Sequence, residues 1–121
     1  MSQTLADRLA VLTSLTLLAL VTFGSLIPSG SVPDAPGGDK LHHFVAYAAI
    51  VFPICAVRPR AALWVVPLAV AYGALIEALQ PQFGRSADWG DVLANTLGAL
   101  LGMAAGRIVH TGLLRRRLKT D

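Results

Sequence analysis

RSADWGDVLANTLGALLGMAAG, residues 85–106, carries two acids and an asparagine into a helix that is otherwise small and apolar. Asp88, Asp91 and Asn95 fall at i, i+3 and i+7 and share one face. Gly90, Ala94, Gly98, Gly102 and Gly106 recur every fourth residue on an adjoining face. A polar side chain on such a helix is costly in lipid unless it faces protein, and a row of small residues is where another backbone comes close. The stretch predicts a transmembrane helix packed against others, so the remaining helices are read for what they bring to it.

Composition agrees. Of 121 residues, 55% are hydrophobic and only 14% charged, which excludes an ordinary soluble domain. Four apolar runs, 9–27, 41–57, 61–79 and 92–109, are each close to the ~20 residues that cross a bilayer. The expected fold is all-α: one small polytopic membrane domain over residues 1–121, with four transmembrane helices and a basic tail at 110–121. Arg8, Arg58, Arg60, Arg107, Arg115, Arg116, Arg117 and Lys119 fall at one set of helix ends, leaving only Lys40 and Arg85 at the other. The positive-inside tendency then places both termini in the cytoplasm, and the expected location is the inner (cytoplasmic) membrane, crossed several times. The basic excess serves topology and contact with anionic headgroups, so no nucleic-acid partner is expected.

The first run also fits a signal peptide, but it is long for one, and Asp7 offsets Arg8 beside it; it reads as a retained anchor whose Thr and Ser residues, Ser14 and Thr22 among them, bond to their own helix. Residues 28–39, PSGSVPDAPGGD, hold three prolines and three glycines and predict an irregular outer loop closed by Asp39, which is placed to cap the second helix. That helix opens unusually polar, DKLHHFVAY. Asp39, His43 and Tyr47 share one face, with His42 about 100° away; either that face turns His43 inward, or Lys40 and His42 meet headgroups and Tyr47 belongs to the interfacial aromatic belt. Pro53 is a candidate kink. Cys55, the only cysteine, reads as a small buried residue. The short turn Arg58-Pro59-Arg60 makes the second and third helices antiparallel neighbours.

On the third helix, Ala69, Gly73 and Glu77 are spaced by four, and Gln80 follows Glu77 by three. Pro81 stops the helix, leaving Glu77 about 5 Å below its end. An ionisable group there is a candidate functional residue, or else pairs with Arg85. Asp88 is placed to cap the fourth helix, Asp91 to meet its positive end, and Asn95 to hydrogen-bond across to the second or third. The small-residue row serves packing within the bundle, with a homodimer through the fourth helix as its alternative use.

Four segments thus place polar groups on the same side: Asp39, Lys40, His43 and Tyr47; Glu77 and Gln80; Arg85; Asp88, Asp91 and Asn95. At these residues the chain resembles the VanZ-like membrane proteins. The resemblance runs from residue 39 to residue 106 and rests on D-K-x-x-H-F-x-x-Y, on E-x-x-Q, and on R-x-x-D-x-x-D-x-x-x-N-x-x-G-x-x-x-G, leaving the first helix and the tail outside it. It implies a small helical protein of the bacterial envelope, in a family whose namesake is associated with resistance to teicoplanin.

Three functions compete. In one, Arg85 and Lys40 grip the phosphate or carboxylate of an envelope lipid, cell-wall precursor or glycopeptide. In another, His43, Glu77 and Asp91 are catalytic and share acid/base work on a lipid-linked substrate. In the third the polar groups only latch the helices. No cofactor is implied, and no metal is expected, because the order of residues contains no closely spaced ligand pair.

Overall fold

The computed structural model describes residues 2–28 and 38–120. Four helices, α1 (Gln3–Leu26), α2 (Gly38–Val57), α3 (Ala62–Leu79) and α4 (Trp89–Thr120), account for nearly all of it, with no strand among the described residues. Each is long and apolar enough to cross a membrane. The irregular segment expected at 28–39 lies mostly outside the described residues.

Local chemistry sets the helix ends. The Ser2 side chain accepts from the Leu5 N–H and caps α1. Pro81 ends α3 in a 3-10 turn, Gln80–Phe83, and Gly84 at φ 74° supplies the left-handed residue that turns the chain back. The Arg85 N–H donates to the Gln80 carbonyl across that turn, at 3.1 Å. The second helix begins at Gly38, so Asp39 sits within its first turn rather than capping it. Helix α2 runs unbroken through Pro53.

The interior is an inversion of a soluble core. Beside Tyr47, Ile50, Val51 and Ile76 most buried positions are small or polar, including Ala62, Ala69, Gly73, Ala94, Gly98, Ala99 and Gly102, whereas Leu12, Leu20, Phe23, Leu63, Trp64, Leu68 and Ile108 point outward. So much exposed leucine and tryptophan suits a lipid surround.

The glycine row decides the architecture. A Cβ added at Gly98 would land on the backbone carbonyl of Phe44, at Gly102 on that of Ala48, and at Gly106 on Cys55 and Ala56. Those partners rise in number with the glycines, so α2 and α4 run parallel with their backbones in close approach. This is the most extensive interface in the molecule, and α3 touches α2 far less than the short connection between them suggests. A tight turn requires antiparallel succession but does not decide which helix fills the groove.

Helix α1 is tied across rather than to itself. Ser14 Oγ donates to the Ile50 carbonyl at 2.7 Å, a buried bond to α2. Thr22 donates to its own Leu18 carbonyl, as expected, and also shares a 2.6 Å bond with Tyr72 of α3. At the arginine-rich end Asp7 pairs with Arg58 at 2.5 Å, not with its neighbour Arg8, and the carboxylate raises the Arg58 pKa above its ordinary value. Cys55 is buried and free. Helix α4 continues past the predicted span to Thr120; at 1.5 Å per residue its 32 residues cover ~48 Å, more than the ~30 Å hydrocarbon layer.

Candidate functional site

The other end of the bundle collects the polar residues. The first two turns of α2 supply Asp39, Lys40 and His43, the last turn of α3 supplies Glu77, and the connection after it supplies Gln80, Arg85 and Asp88. The first two turns of α4 supply Asp91 and Asn95. Because α2 and α4 are parallel, both present their N-termini here, where the unpaired N–H groups and helix dipole favour acidic side chains.

At the centre lies a buried cluster on three helices. His43 is 9% exposed, Glu77 0%, Asp91 5% and Asn95 1%. His43 Nδ1 donates to Asn95 Oδ1 at 2.9 Å, the cross-helix bond expected of Asn95. That bond orients the ring and leaves Nε2 facing Asp91 Oδ2 at 3.5 Å. Glu77 Oε1 accepts from the Asp88 N–H, tying α3 to the start of α4. Glu77 Oε2 and Asp91 Oδ1 are buried without a hydrogen-bond partner among the described residues. One ligand atom from each of His43, Glu77 and Asp91 lies within 4.8 Å of the others. The linear objection to a metal site, the lack of a closely spaced pair, does not survive folding: three helices deliver one ligand each.

Above the cluster the charges pair. Asp88 is the N-cap of α4: its Oδ1 accepts from the Gly90 N–H at 2.8 Å and its carbonyl from the Asp91 N–H at 2.9 Å. Its Oδ2 accepts from Lys40 Nζ at 2.5 Å, and the ammonium, helped by the Gly90 N–H, holds the Asp88 carboxyl below the usual carboxylate range. Lys40 Nζ also lies 3.7 Å from Asp91 Oδ1. Arg85 meets Asp39 at 3.7 Å and donates to the Ile27 carbonyl at 3.4 Å. The pairing of Glu77 with Arg85 allowed by the sequence is not made. Asp39, Lys40, Arg85 and Asp88, with Gln80 and Ser86, line a polar cleft of about 560 Å³ with Asp91 in its wall.

Some predicted residues have other work. Tyr47 is buried against Gly73 and does not line the cleft; a Cβ at Gly73 would meet Asn95 Nδ2 and the Tyr47 hydroxyl. Gln80 donates to the Ser25 carbonyl at 3.1 Å and so fastens α1 while forming part of the cleft wall. Gly90 faces Lys40 and Asp88 rather than a helix backbone. His110, which sequence reasoning missed, donates through Nδ1 to the Ala56 carbonyl at 2.8 Å. Its signal was present: 110 continues the four-residue row of Gly98, Gly102 and Gly106.

A comparison with protein-family models matches VanZ/LLP1 over residues 4–110. The chain belongs to the VanZ-like family. The match takes in α1 and so extends beyond the 39–106 stretch that carried the resemblance in the sequence. No curated relative and no solved structure matches this VanZ-like protein. Family and helices together make it a multi-pass membrane protein.

Proposed function

We propose that this VanZ-like protein lies in the inner membrane of a bacterial envelope with its Lys40 and Arg85 end at the outer face. There it recognises an anionic amphiphile: an envelope lipid, a lipid-linked cell-wall precursor, or a glycopeptide of the teicoplanin type, from which a role in resistance would follow. The observation that carries this reading is the placement of Arg85. It lines the polar cleft and donates to Ile27, a wall residue of an apolar groove of about 740 Å³ between α1 and α3. A ligand with a phosphate or carboxylate head and an apolar body fits both. Arg85 is held by two long contacts, an exposed Asp39 at 3.7 Å and the Ile27 carbonyl at 3.4 Å, so a bidentate anion competes for it on good terms.

The test is thermal stabilisation of the detergent-solubilised protein by short-chain phosphatidic acid, with phosphatidylcholine and inorganic phosphate as comparisons. Phosphatidic acid should raise the melting temperature most. Arg85→Ala should abolish the shift and Arg85→Lys should recover little of it. An undiminished shift in Arg85→Ala would sink the reading.

A second reading, an acid/base enzyme acting on a lipid-linked substrate, is favoured by the buried carboxylate oxygens beside His43. A structural latch accounts for Asn95, Gln80 and the Asp88 N–H bond to Glu77, yet leaves Glu77 Oε2 with no hydrogen-bond partner among the described residues.

A further inference from the structure

We propose that His43, Glu77 and Asp91 form a binding site for a divalent transition-metal cation, Zn²⁺ or Mn²⁺. The inference does not depend on what occupies the cleft. Four observations converge. The cluster sets ligand atoms side by side: His43 Nε2 lies 3.5 Å from Asp91 Oδ2, and among the described residues the buried Glu77 Oε2 has no donor while Asp91 Oδ1 has only Lys40 Nζ at 3.7 Å. Unpaired acceptors at that burial are costly, and a cation at their centre removes the cost. Second, the His43 Nδ1–H is already committed to Asn95 Oδ1, the outer-shell bond by which a ligating histidine is oriented and its other nitrogen freed for metal.

Third, the spacing is close to that required. Bonds of ~2.1 Å in a tetrahedral set put ligand atoms ~3.4 Å apart. The His43 to Asp91 distance is already 3.5 Å, and the three ligand atoms all lie within 4.8 Å of one another. Fourth, the ion pairs pass Glu77 by: Lys40 reaches Asp88 and Asp91, Arg85 reaches Asp39, and no basic side chain among the described residues pairs with Glu77. A divalent cation would supply that missing counter-charge.

The ligand set selects the ion. One imidazole and two carboxylates suit Zn²⁺ or Mn²⁺, whereas Ca²⁺ asks for six to eight oxygens. Three protein ligands also leave a coordination position open, and the wall of the cleft at Asp91 is where it opens. Lys40 Nζ, 3.7 Å from Asp91 Oδ1, is the competing cation, but Asp88 holds it at the rim.

Protein treated with EDTA and then titrated with Zn²⁺ or Mn²⁺ in a calorimeter should bind one ion per chain, with a rise in melting temperature. His43→Gln, Glu77→Gln and Asp91→Asn should each weaken binding at least tenfold, and Asp39→Asn by no more than about threefold. Glutamine at 77 keeps an acceptor for the Asp88 N–H, so that variant retains the helix tie. If the variants fail to fold, Co²⁺ added to the intact chain decides: visible bands stronger than those of the aqua ion support a protein-bound nitrogen and oxygen site. An aqua-like Co²⁺ spectrum, the absence of metal stabilisation in the intact chain, or an affinity in the three variants equal to that of the unsubstituted chain would overturn the proposal.

Discussion

Asn95 carries the clearest lesson at the residue scale. A buried amide on a membrane helix must find a partner, and the only question the sequence left was which helix supplies it. It is α2, through His43. Asn95→Ala leaves the His43 Nδ1–H buried without an acceptor and should cost about 1–3 kcal/mol. The measurement is the melting temperature in detergent; an unchanged value would show that the bond carries no stability. Spacing along one helix could place Glu77, Asp91 and Asn95 on inward faces, because the period of 3.6 is local. It could not show that Glu77 would bond to the Asp88 N–H rather than pair with Arg85. That choice depends on how the 3-10 turn after Leu79 aims the returning chain.

At the element scale, the glycine row of α4 is a seat for the backbone of α2. Gly98→Ala drives a methyl into the Phe44 carbonyl, which cannot move aside as a flexible side chain would, and should destabilise the protein by about 1–3 kcal/mol despite the better helix propensity of alanine. Gly112 meets nothing within 4 Å, so Gly112→Ala should be neutral or stabilise by up to about 1 kcal/mol. Comparing their melting temperatures in one detergent separates packing from propensity, and equal shifts would remove the packing explanation. The row itself was legible at a four-residue period. Its partner was not, since the short connection at residues 58–61 pointed to α3 while small residues alone carry no address.

At the scale of the whole molecule, two ends differ in chemistry: one holds the buried acids, His43, Lys40 and Arg85, the other Arg58, Arg60 and the basic end of α4. With Cys55 replaced by alanine, a cysteine at Ser86 should react with a membrane-impermeant maleimide on intact cells, and one at Lys119 only after permeabilisation; the reverse pattern would invert the proposed orientation. Hydropathy, charge and small-residue spacing were enough to establish four helices able to span a membrane and the end at which polar groups gather, and three motifs carried the family resemblance, because each is a property of residues close in the chain. Which groups touch was settled only by folding. The parallel seating of α4 on α2 lays Asp91 and Asn95 against His43, and the turn after α3 brings Glu77 to the same point, so distances between side chains about fifty residues apart follow from helix packing that no linear pattern records.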